Sequence, residues 1–138
     1  MTRTALCPLI CLVSSMLIGC SAANNSLRGK VIEGNINFVC IVDQHDERLK
    51  SPGLEGVTVE ARGSNAAATL FSSVKSDTNG DFTLRFGDQQ QVLLKPVEFS
   101  GFKDGYSPSR EVMNLPPSDR RLLIILKPGG PAHPSPSR

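Results

Sequence analysis

Few side chains in this sequence can do covalent or metal chemistry, and they fall in a handful of places. Cysteines stand at Cys7, Cys11, Cys20 and Cys40, and histidines at His45 and His133. Asp43, His45, Asp46 and Glu47 crowd one stretch, and Asp77, Asn79 and Asp81 alternate around Gly80. The second set has the alternating oxygens of a calcium loop, but an EF-hand needs a bidentate glutamate farther on and a helix on each side. The sequence supplies neither, and an Asn-Gly turn explains the same residues. The first set offers one histidine among loop carboxylates, whereas zinc takes three or four converging ligands. It reads as a solvated loop. A Ser-His-Asp or Cys-His arrangement is not credible when the candidate bases lie in a loop and a tail. The expectation is no catalytic, cofactor-binding or metal site, and no enzyme.

Cys20 has a different context. One cation, Arg3, precedes an apolar stretch from about Ala5 to Ile18 that is interrupted by Pro8. It falls short of the ~20 residues of a spanning helix and reads as an export signal. Its end, Leu17-Ile18-Gly19-Cys20, resembles the bacterial lipobox, in which a small residue precedes the cysteine. The resemblance implies cleavage before Cys20 and diacylation of its thiol (palmitate-type chains), usually with acylation of the new amine. Each buried methylene contributes ~0.8 kcal/mol, so two or three chains hold a protein at a membrane where one does not. The alternative is ordinary cleavage after Ser21-Ala22-Ala23, which would release a soluble protein. The Gly-Cys pair at the end of the apolar run favours the lipobox. Ser21 beside the cysteine is not the aspartate that retains such lipoproteins at the inner membrane. In a Gram-negative host, resemblance to the sorting of such lipoproteins then implies the outer membrane, facing the periplasm. With Cys7 and Cys11 removed and Cys20 lipidated, Cys40 has no partner for a disulfide. It shares a strand face with Ile36, Phe38 and Val42 and reads as a buried small hydrophobe. A reactive thiol would need a nearby cation, which the local sequence does not offer.

The elements follow from periodicity. Of 138 residues, 39% are apolar and 20% charged, enough for one folded domain. Formal net charge is +2, and +1 once Arg3 leaves, which gives no field for a polyanion and argues against nucleic acid. Residues 1–19 form the leader, 20–27 a lipidated polar tether, 28–127 the domain, and 128–138 a disordered Pro/Gly/Ser tail. Within the domain the period is two. Val57, Val59 and Ala61 alternate with polar residues, as do Phe82, Leu84 and Phe86. Leu122 to Leu126 is an unbroken apolar run, as expected for a strand buried on both faces or central in a sheet. Further strands are expected over Lys30–Glu33, Ile36–Val42, Thr69–Ser76, Val92–Ser100 and around Val112 to Leu115. Pro96 argues for an edge or a bulge in its strand. Asp77-Thr78-Asn79-Gly80 is expected to join Thr69–Ser76 to Asp81–Phe86 as a hairpin.

Three segments in order carry a further resemblance. Pro52-Gly53-Leu54-Glu55-Gly56-Val57-Thr58-Val59, then Ser76 to Leu84, then Lys103-Asp104-Gly105-Tyr106 with the strands after it, resemble carboxypeptidase regulatory-like domains over about residues 29–127. The resemblance implies an all-β fold: a single seven-stranded antiparallel β-sandwich of transthyretin-like or prealbumin-like topology, usually non-catalytic. Some transthyretin-like proteins hydrolyse hydroxyisourate with several histidines, an arginine and a C-terminal Tyr-Arg-Gly-Ser. This chain has two histidines and ends Ser-Pro-Ser-Arg. Some related adhesin repeats form Lys–Asn staples. Lys30 is suitably early for one, but Leu122 to Leu126 has no Asn or Asp to receive it. The chain departs from the family over Ile36 to Ser51, where extra length brings the polar loop 43–50. The expected function is a membrane-anchored, non-catalytic binding or structural module of the bacterial cell envelope. Its expected partners are membrane lipid through acylated Cys20 and an envelope protein or glycan. An accessory lipoprotein subunit of an envelope secretion or assembly machine is the alternative.

Overall fold

The computed structural model describes residues 25–88 and 94–129; the leader, Cys20 and the tail from Gly130 lie outside the described residues. Eight strands follow in order: β1 (Ser26–Glu33), β2 (Phe38–Asp43), β3 (Thr58–Gly63), β4 (Leu70–Lys75), β5 (Asp81–Arg85), β6 (Val97–Phe102), β7 (Ser109–Met113) and β8 (Arg120–Leu126). They make two four-stranded sheets, in the orders β2-β8-β1-β5 and β4-β3-β6-β7. The expectation of seven antiparallel strands is corrected twice over. There are eight strands among the described residues, and β1 runs parallel to β8, pairing Gly29 with Leu122 and Glu33 with Leu126. The first and last strands thus lie side by side at the centre of one sheet.

Alternation explains the core. Leu27 and Val31 of β1, Phe82 and Leu84 of β5, and Leu122, Ile124 and Leu126 of β8 face inward. They meet Val59 and Ala61 of β3 and Val97 and Phe99 of β6, so one apolar layer joins the sheets. Gly29 also points inward, and the Phe82 ring occupies the space where its side chain would be. β8 is buried on both faces, as its apolar run requires, because Leu123 belongs to a second cluster on the outer face with Ile32 and Val42. The cover of that cluster is the extra length: a 3-10 turn, Glu47–Lys50, folds back and packs Leu49 against it. β1 begins at Ser26, and the Phe86 amide donates to the Asn25 carbonyl, so the sheet reaches into the stretch assigned to the tether.

Two further expectations are corrected. β4 and β5 do not form a hairpin, because β4 pairs with β3 and β5 with β1. Ser76 ends β4 in one sheet: its hydroxyl accepts from the Val57 amide (2.9 Å) and donates to the Leu54 carbonyl (2.6 Å). Four residues later the Gly80 carbonyl accepts from the Val31 amide of the other sheet (2.8 Å). The Asn-Gly segment does turn the chain, with Gly80 at φ +78, but it turns it from one sheet into the next. Pro96 interrupts nothing. Residues 92 and 93 of the expected strand lie outside the described residues. β6 starts at Val97, just after Pro96, and lies between β3 and β7, so the missing amide falls ahead of the strand and no edge is needed.

Candidate functional site

The same alternation that fills the core sends charge to the outer face of the β2-β8-β1-β5 sheet. With Leu27, Gly29 and Val31 inward, Arg28 and Lys30 point outward. With Phe82 and Leu84 inward, so do Asp81, Thr83 and Arg85. Register then gathers them: Arg28 sits opposite Thr83, Lys30 opposite Asp81, and Arg85 opposite Ser26. The parallel register that pairs Gly29 with Leu122 brings Arg28 beside Arg121 one residue earlier. Leu49 and Gln44 of the insertion wall one side, and Val74 and Lys75 at the end of β4 wall the other. Between them lies an open groove of about 670 Å³.

The groove is cationic. Arg28, Lys30, Lys75, Arg85 and Arg121 line it against only Asp77 and Asp81, leaving three positive charges in excess. The two acids do not cancel their neighbours. Asp77 Oδ1 accepts from the amides of Asn79 and Asp81 (2.9 Å each) and so shapes the turn. The four ion pairs among the described residues are Arg48–Asp46, Lys50–Glu47, Arg62–Glu60 and Arg120–Asp43, all outside this groove. Arg121 Nη1 donates only to the neutral carbonyls of Ser118 and Arg120. Lys30 stands out. It is 8% exposed, and none of the ion pairs or side-chain hydrogen bonds of the described residues includes it. Among the described residues no fully enclosed polar side-chain atom lacks a partner, so its ammonium still meets solvent. It does so in this groove and in a shallower depression beside it, bordered by Lys50, Thr78 and Asn79.

The other sequence-derived candidates fall elsewhere. Asp43, His45, Asp46 and Glu47 do not converge; no group of three or more His, Cys, Asp or Glu does so among the described residues. Asp43 Oδ1 accepts from the His45 amide, and Asp46 caps the 3-10 turn by accepting from the Arg48 amide (2.9 Å). Arg48 Nε and Nη2 also grip Asp46 (3.0 and 2.8 Å), which holds its carboxyl down to about 2. Cys40 lies in the outer cluster under Leu49. A cation does stand near it, contrary to the local reading of the sequence: Arg48 arrives from the insertion. Burial dominates nonetheless and pushes the thiol up, with Arg48 only partly offsetting it. The Tyr106 hydroxyl donates to Glu33 (2.8 Å), and that bond raises the phenol above its usual range. Cys20 lies outside the described residues.

The groove itself was missed in the sequence because net charge averages it away. Its signal was present as basic residues at the outward positions of three strands, Arg28 and Lys30, Arg85, and Arg121. Only the pairing of β1 with both β5 and β8 assembles them, and that pairing is long-range.

No family model matches the chain, and no curated protein matches it. Among solved structures, the chain is similar to a 3-chlorocatechol 1,2-dioxygenase from Rhodococcus opacus 1CP, with 12% identity and a TM-score of 0.45. That match covers 75% of this chain and 58% of the dioxygenase chain.

Proposed function

We propose that the protein is a bacterial lipoprotein, anchored through acylated Cys20, whose β-sandwich acts as a non-catalytic binding module of the cell envelope. The observation that carries this reading is Leu17-Ile18-Gly19-Cys20 at the end of the apolar run, six residues ahead of the first residue of β1. A lipid at Cys20 leaves the domain close to the bilayer on a short polar tether, with the outer membrane as its place. The cationic groove supports a binding role: its lining gathers charge and offers no nucleophile held by a base. Membership of the carboxypeptidase regulatory-like domains is the finer reading of the fold. It is supported by Pro52 to Val57 leading into β3, by the Gly80 turn, and by the Gly105-Tyr106 turn between β6 and β7. The eighth strand and the capping insertion are this chain's own additions to that pattern.

Growth with a labelled fatty acid followed by fractionation tests the anchor. The wild-type chain is expected in the membrane fraction and labelled, and Cys20→Ala is expected unlabelled and released. A Cys20→Ala chain that keeps label and membrane association overturns the reading.

A further inference from the structure

Lys30 is 8% exposed and forms no ion pair among the described residues, although Asp81 is its cross-strand neighbour. Its ammonium meets solvent at the groove with no counter-charge beside it, so an anion entering there finds a positive charge that no protein group neutralises. Beside it Arg28 and Arg121 stand on adjacent strands, and neither takes part in an ion pair among the described residues, so an anion entering the groove meets two guanidiniums that no acid neutralises. Arginine forks match the paired oxygens of a phosphate, and a lysine adds a point charge. Position narrows the source of that phosphate. Ser26, opposite Arg85, is six residues from Cys20, and six residues span at most about 20 Å. Arg28 and Arg85 therefore lie in the part of β1 and β5 nearest the anchor point. Surface charge is screened within ~8 Å at physiological salt, so a groove of this kind gains from being held at its target.

We propose that this groove holds the phosphodiester of an anionic lipid headgroup, of the phosphatidylglycerol class, in the membrane that carries the chain. The chemistry of the anion rests on the groove alone, while nearness of the bilayer rests on the anchoring reading above. Headgroup binding by Lys30, Arg28 and Arg121 would lay the outer face of the β1-containing sheet on the membrane and leave the β4-β3-β6-β7 sheet facing away from it.

The test uses the full chain carrying Cys20→Ser, which cannot be acylated, with vesicles of phosphatidylcholine alone or mixed with phosphatidylglycerol. The quantity read is the ratio of the two affinities, compared between each variant and its parent, so that the leader with its Arg3, common to all, cancels. The wild-type groove is expected to favour the phosphatidylglycerol vesicles, less so as salt rises. Lys30→Met and, separately, Arg28→Gln are each expected to lower that preference about five- to tenfold. Lys30→Met should melt close to its parent, because it keeps the buried apolar stem and removes only the solvent-facing ammonium. Arg28 is exposed, so its variant reports binding without disturbing the core. Equal affinity for the two vesicle types, or variants that bind as the parent does, overturns the proposal. Tight binding of free glycerol phosphate with no vesicle preference also overturns it, and assigns the groove to a soluble phosphate instead. Fatty-acid labelling of the chain with Cys20 intact reads the anchor independently of all these outcomes.

Discussion

Two residues bear more of the local structure than their neighbours do. Asp46 starts the 3-10 turn and clamps Arg48, and its carboxyl is held to about 2 against an ordinary 3.8. Because the folded value is depressed, the stabilisation is fully present above 3.8 and is lost as pH falls through about 2. Asp46→Asn should therefore melt below wild type at neutral pH, with the gap closing between those two values. A gap that stays constant into acid would mean that the clamp contributes nothing through its charge. Gly80 is the second. Its φ of +78 already disfavours a side chain, and a Cβ there would lie 2.4 Å from the Val31 carbonyl oxygen and 2.6 Å from Gly53 Cα. Those neighbours are backbone and cannot step aside. Gly80→Val should cost more than the ~1–3 kcal/mol of backbone strain alone, and should rival Phe82→Ala, at ~3–5 kcal/mol for an emptied core site. Thr83→Ala, on the outer face, should cost far less than either. Urea melts of the three variants decide it, and a Thr83→Ala as damaging as Phe82→Ala would reverse the faces of β5.

Among the elements, the insertion between β2 and β3 changes the surface most. Leu49 closes the outer cluster over Cys40, Val42 and Leu123, and the same segment walls the groove through Gln44. Leu49 is only half-buried, so Leu49→Ala should cost less than the ~2–5 kcal/mol of a fully buried leucine. It should also open Cys40, whose thiol is pushed up by burial. Alkylation of Cys40 in the folded chain is expected to be slow in wild type and faster in Leu49→Ala. Equal rates would show that the turn does not shelter the thiol. The sequence makes parts of this level legible and hides others. Val59 and Ala61, and Phe82 and Leu84, declare their inward faces by alternation, and Leu122 to Leu126 declares a central strand by having no polar face at all. The Asn79-Gly80 turn is equally plain, but its partner strands are not. Whether the chain returns beside itself or crosses to another sheet is decided by Ser76 and Val31, which lie far apart in sequence. The 43–50 loop is polar at every position but Leu49, so one apolar side chain carried the only hint that it folds back.

At the scale of the molecule, the fold separates two jobs. The inner faces of both sheets supply one continuous core, while the outer face of the β1-containing sheet carries a small apolar cluster under the insertion and the charged groove beside it. Cys20 stands six residues before the first residue of β1, so on the proposed anchoring the start of β1 lies close to the bilayer. The proposed function turns on the chemical state of that one residue. It can be read directly by mass spectrometry of the chain purified from membranes and digested with trypsin. The first mature peptide is expected to run from Cys20 to Arg28, Cys-Ser-Ala-Ala-Asn-Asn-Ser-Leu-Arg, carrying two or three acyl chains on its first residue. A mature chain beginning at Asn24, or an intact leader joined to an unmodified Cys20, would contradict the anchored module.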